Sequence, residues 1–124
     1  MARRILVVED ETKIREIFAK FLTSRGHQVD EARDGQEAVE KAGRQTYDLI
    51  MMDVKMPRLD GISALKRIRD ISPSTKVVLL TGYRVDDQIG EVVKDGVECL
   101  QKPVLLKDID ALVAGLGPSG RPSA

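Results

Sequence analysis

Several short apolar runs in this chain each end in a residue capable of chemistry. Leu49-Ile50-Met51-Met52 delivers Asp53, and Val54-Lys55-Met56-Pro57-Arg58-Leu59-Asp60-Gly61 then leads towards a helix. Ile5 to Val8 ends in Glu9-Asp10, Val77 to Leu80 in Thr81-Gly82, and Cys99-Leu100 in Gln101-Lys102-Pro103. If these runs are neighbouring parallel strands, their ends share one sheet edge, where open α/β sheets bind ligands. Carboxylates brought within ~4 Å repel by roughly 4 kcal/mol per pair at an effective dielectric near 20, so a compensating cation is required. A hard divalent ion meets that need: Mg²⁺ (or Mn²⁺) commonly takes one or two carboxylates, waters and a substrate phosphate. Lys102 adds the remaining positive charge. The set suits phosphoryl transfer onto Asp53, with Thr81 and Lys102 holding the phosphoryl oxygens, because such transfer depends on positioning and charge neutralisation.

The elements that must position these residues follow from hydrophobic period. Short continuous apolar runs alternate with helical patterns, as in a parallel sheet covered by helices on both faces. Strands are predicted at Arg4 to Val8, Gln28 to Glu31, Asp48 to Met52, Lys76 to Leu80 and Glu98 to Gln101. The second has Val29 as its one large apolar residue. A first helix places Ile14, Ile17, Phe18, Phe21 and Leu22 on one core-facing stripe, ends at Gly26, and has Thr12 available as its cap. Val39 and Ala42 mark a second helix after Asp34-Gly35. Ile62, Leu65 and Ile68 mark a third, entered through Asp60-Gly61 and stopped by Ser72-Pro73. A fourth starts at Asp86 with Ile89, Val92 and Val93; Gly90 makes it the least stable. The last carries Ile109, Leu112, Val113 and Leu116.

Size and charge narrow the function. A chain of 124 residues makes one domain with a core of its own. Twenty basic residues balance twenty acidic ones, which argues against direct binding to nucleic acid or an anionic membrane. The single Cys99 rules out an internal disulfide. No run is long enough to span a membrane, so the reading is a cytoplasmic protein. His27 is expected as an exposed loop residue. Cys99, Met51, Met52 and Met56 are expected to pack.

The joint occurrence of Glu9-Asp10, Asp53, Thr81 and Lys102-Pro103 resembles the receiver domains of bacterial two-component response regulators. The resemblance covers residues 3–116, leaving 117–124 as a flexible tail or the start of a linker. It implies a flavodoxin-like, doubly wound (βα)5 fold with parallel sheet order 2-1-3-4-5. It further implies that Asp53 takes its phosphoryl group from a sensor histidine kinase or histidine phosphotransfer protein. Asp10 and Asp53 would bind Mg²⁺ directly, Glu9 through water, and the main-chain carbonyl of Lys55 would complete the protein ligands. Thr81 matches the hydroxyl that turns towards the phosphoryl group, and Lys102, before a proline that is cis in the family, matches its phosphoryl-binding lysine.

Two positions depart from the family pattern. Cys99 stands where the family usually has an aromatic residue that swings inward on activation, and Val104 replaces a frequent phenylalanine, so an aromatic switch is absent. Lys55 and Tyr83 occupy positions that tune autodephosphorylation in relatives. The implied protein is a switch with autocatalytic phosphorylation and dephosphorylation, not an enzyme acting on other substrates. Its output is a downstream protein target or a covalently linked effector domain, with a possible phosphorylation-linked homodimer. The partner face by resemblance is the Asp86 helix, the fifth strand and the last helix. Two rival readings are a receiver-fold module that binds without phosphorylation and an aspartyl-phosphate phosphatase of the haloacid dehalogenase type. The second fits poorly, since the first strand ends in Glu9-Asp10-Glu11.

Overall fold

The computed structural model describes residues 2–56, 58–82 and 97–116. The strands are β1 (Arg4–Val8), β2 (Gln28–Ala32), β3 (Leu49–Asp53), β4 (Lys76–Thr81) and β5 (Glu98–Gln101). The helices among these residues are α1 (Thr12–Ser24), α2 (Gly35–Arg44), α3 (Gly61–Ile71) and α4 (Leu106–Ala114). Tyr83, the helix expected from Asp86 and the tail 117–124 lie outside the described residues.

All strand pairs are parallel and the sheet order is β2-β1-β3-β4-β5, as expected. Alternation of side chains divides the core into two layers. Leu6, Val8, Ile50, Met52, Val77 and Leu79 face α2 and α3, where Ala38, Ala42, Ile62, Leu65 and Ile68 cover them. Ile5, Val7, Leu49, Met51, Val78 and Leu80 face α1 and α4, meeting Phe18, Leu22, Ile109 and Leu112. The inner strands are buried on both sides, which is why they read as unbroken apolar runs. β2 is the half-buried edge strand, consistent with its single large apolar residue.

Helix ends follow local chemistry. Asp34 caps α2 by accepting from the Glu37 amide at 2.8 Å, and Asp60 caps α3 from Ser63 at 2.8 Å. Gly26 takes a φ of 90° beyond α1, a left-handed turn that glycine enters without a steric penalty.

Three expectations are corrected. Ile17 is 54% exposed, because α1 buries Phe18, Ala19 and Leu22 and turns Ile17 sideways towards the β5–α4 loop. Thr12 is the first helical residue and not the cap; Glu11 holds that place with no side-chain cap bond. His27 is half-buried, its Nδ1 accepting from the Arg3 amide at 3.0 Å.

Candidate functional site

Register brings the acidic and basic residues to one edge. Val8 is level with Met52, and Asp53 with Leu80, so Glu9-Asp10 leaves β1 beside Asp53, the last residue of β3. Thr81 ends β4 opposite Gln101, and its carbonyl accepts from the Lys102 amide at 2.8 Å. The Lys102–Pro103 peptide is cis.

Glu9, Asp10 and Asp53 each offer a carboxylate oxygen within 4.8 Å of the others. Glu9 is fully buried, Asp53 and Thr81 are nearly so, and Asp10 is exposed. The Lys102 ammonium lies 2.8 Å from Asp53 Oδ2 and 3.2 Å from Glu9 Oε2, so one cation bridges two buried acids. The remaining oxygens receive backbone donors: the Lys55 amide reaches Asp53 Oδ1 at 3.4 Å, and the Glu11 amide reaches Glu9 Oε1 at 3.3 Å.

Electrostatics reflect this crowding. Burial and then the Asp53 charge push the Glu9 carboxyl up to about 7, although the Glu11 amide and Lys102 pull against them. For Lys102, burial alone would lower the ammonium. The hydrogen bond and charge of Asp53, with Glu9, outweigh that effect and raise it. Lys102 is therefore held in its charged form, and Glu9 keeps its proton to higher pH than an exposed carboxyl does.

The donor set fits a hard divalent cation. Three carboxylates face one ammonium, the donors are all oxygen, and Asp10 is open to solvent for ion entry. The Lys55 backbone lies beside this cluster, its N–H donating to Asp53 Oδ1.

Some residues that shape the site carried no signal in the sequence. Arg15 on α1 donates to the Glu9 carbonyl at 2.8 Å and pairs with Glu31 at 3.1 Å, tying the acidic turn to β2. Gly61 lies so close to the end of β3 that a Cβ there would sit 2.4 Å from the Asp53 carbonyl oxygen. Both contacts arise from the fold, since an arginine in helical period reads as a solvated residue.

Comparison with known proteins gives the same frame. Residues 5–114 match the model of the response regulator receiver domain. The transcriptional regulatory protein TcrA of Mycobacterium tuberculosis is 37% identical over 96% of this chain and 49% of its own length. The chain thus spans about half of that relative. A Burkholderia pseudomallei response regulator, solved with a phosphorylated aspartic acid, calcium and citrate, is 28% identical with a TM-score of 0.80, covering 93% of this chain and 66% of that one. The receiver domain of the sensor histidine kinase PA1611 from Pseudomonas aeruginosa, solved with magnesium in its active-site cleft, is 29% identical with a TM-score of 0.83, covering 94% and 98%. A strand order of 2-1-3-4-5, an acid cluster at its carboxyl edge and a family match over nearly the whole chain lead to one conclusion: this chain belongs to the response regulator receiver domains of two-component signalling.

Proposed function

We propose that Asp53 is the phosphoacceptor of a Mg²⁺-dependent switch. The observation that carries this reading is the Lys102 ammonium, 2.8 Å from the Asp53 carboxylate, with Glu9 and Asp10 close by. In the step, an Asp53 carboxylate oxygen forms a bond to phosphorus while the bond from phosphorus to a donor histidine nitrogen breaks. The imidazole leaves with the electron pair and regains a proton. Asp10, Asp53 and the Lys55 carbonyl would hold the ion directly, and Glu9 would hold it through water. Bound there, Mg²⁺, or Mn²⁺ in its place, neutralises charge on the phosphoryl oxygens. Lys102 stays on the phosphoryl group as a fixed positive charge, and the Thr81 hydroxyl donates to it.

The donor is a sensor histidine kinase or histidine phosphotransfer protein, and the result is a change in binding to a target protein, a linked effector domain or a second copy. Both solved relatives support the reading, one holding a phosphorylated aspartate and the other magnesium. With Cys99 half-buried in β5 against the α2–α3 core layer, signal passes through Thr81 and not through an inward-swinging aromatic ring.

Intact mass after incubation with acetyl phosphate tests the proposal. The expected result is a gain of one phosphoryl group that requires Mg²⁺ and is lost in Asp53→Asn. A chain that binds Mg²⁺ yet gains no mass would refute it.

A further inference from the structure

The loop between β3 and α3 carries Lys55, whose carbonyl is assigned above to the metal, and its path is set from two sides. At its base, Val54 still pairs with β4 through Leu80, and the Gly61 amide closes onto the Val54 carbonyl at 2.8 Å. At its far end, Arg58 turns with a φ of 70°. Its guanidinium stands 3.5 Å from the buried carboxylate of Asp34, the cap of α2. Next to it the Leu59 carbonyl is seated directly on the bare Cα of Gly35, where a Cβ would come within 2.1 Å of the oxygen and 2.9 Å of the carbon. The Leu59 side chain packs into the same core layer that α2 covers.

We propose that the N-terminus of α2 is a brace for the metal-binding loop, with Gly35 and Asp34 as positioning residues for the Lys55 carbonyl. The inference rests on the metal reading of Proposed function. A methyl group at Gly35 would have to drive the Leu59 carbonyl outwards by about 1 Å to reach ordinary contact. The base of the loop is closed by backbone on backbone, so the displacement is carried towards Arg58 and Lys55. Mg²⁺ demands near-ideal octahedral geometry at about 2.0–2.1 Å, whereas Ca²⁺ accepts longer and more variable bonds. The brace therefore acts on ion selectivity as well as on affinity, an effect that general loosening of the fold would not produce.

The test measures Mg²⁺ and Ca²⁺ affinity by calorimetry in the wild-type chain, Gly35→Ala and Gly43→Ala. Gly43 lies on the same helix with nothing near its Cα. Gly35→Ala is expected to lose Mg²⁺ affinity about ten-fold or more, the usual scale for groups that orient a metal ligand. Its Ca²⁺ affinity falls less, and Gly43→Ala keeps both. Unchanged Mg²⁺ binding in Gly35→Ala, or an equal loss for both ions, would overturn the brace. Should Gly35→Ala fail to fold, Asp34→Asn keeps the cap and removes the charge facing Arg58. That variant is expected to weaken Mg²⁺ by about two- to five-fold, and no change would overturn the proposal. If the wild-type chain binds neither ion, the metal reading fails on its own. The brace is then judged from amide NMR shifts of Asp53 and Lys55 without metal, which move in Gly35→Ala if it holds and stay in place if it does not.

Discussion

Glu9 is the residue whose chemistry is most altered by its surroundings. Its carboxyl is raised to about 7, from 4.5 in the exposed state, by burial and then by the Asp53 charge. Between those values the folded chain keeps a proton that the unfolded chain has released. The stability this contributes is full below about 4.5 and is lost as pH rises through about 7. The same proton would oppose a cation at the proposed site, so Mg²⁺ affinity is expected to run the other way and climb across that window. Calorimetric titration is expected to give binding about ten-fold tighter at about pH 8 than at about pH 6, with the difference reduced in Glu9→Gln. Equal wild-type affinities at both values would show that Glu9 does not hold the proton. At this scale the sequence is readable where a residue's place depends on the strand it ends: the apolar runs put Glu9, Asp53, Thr81 and Lys102 at or just past strand ends, where the structure has them. Arg15 and Gly35 are not readable in this way, because their importance lies in a carbonyl that only the folded chain brings near them.

Among the elements, β2 is the one that hydrophobicity explains least. It is the outer strand, and its attachment is polar at the end of the sheet away from the acid cluster. The Tyr47 hydroxyl, fully buried just before β3, donates to Asp30 at 2.7 Å and accepts from Gln45 at 2.7 Å. Gln45 also donates to Asp30 and accepts from Arg4, joining β1, β2 and the end of α2 in one network. Tyr47→Phe leaves an Asp30 oxygen short of a donor and is expected to lower stability by about 1–2 kcal/mol. Urea unfolding would show this as a lower midpoint with unchanged slope, and phosphoacceptance would persist. A midpoint equal to wild type would show that the Tyr47 hydroxyl does not contribute to holding β2. The network explains why the weakest strand pattern in the chain still forms a strand. It also shows why α1 was read imperfectly: period gave the helix, but which of five apolar residues stays outside depends on what packs beside it, and Ile17 faces Leu105 and Leu106 instead of the sheet.

For the whole molecule, the proposed phosphorylation of Asp53 raises the question of how far one phosphoryl group would shift the fold. Lys102 already bonds Asp53 and Glu9 before any phosphoryl arrives, so its contribution is largely an exchange of partners. On the proposed phosphorylation, a bond from Thr81 to the phosphoryl group would be worth at most about 1.5–3 kcal/mol as a charge-assisted contact. Moving a population from 1:99 to 99:1 takes about 5.5 kcal/mol. On the proposed reading, the active form would therefore have to be partly populated beforehand for the switch to be nearly complete. NMR of Thr81 and Cys99 amides in the metal-free chain is expected to show exchange with a minor state, and one unexchanging state would argue against it. A parallel sheet covered on both faces is legible from composition of the runs, since strands buried on two faces lack alternation; the strand order comes from the family resemblance, because composition does not say which strands are neighbours. The division of that core has a consequence for variation. Ile5 and Leu6 are adjacent in the chain but lie in different layers, whereas Leu6 and Ile68 share one despite their distance in sequence. Losses from trimming Ile5 and Leu6 should combine nearly independently, while those of Leu6 and Ile68 should be coupled. Compensation between substitutions is thus confined by the sheet, and each layer can drift in its amino acids without consulting the other.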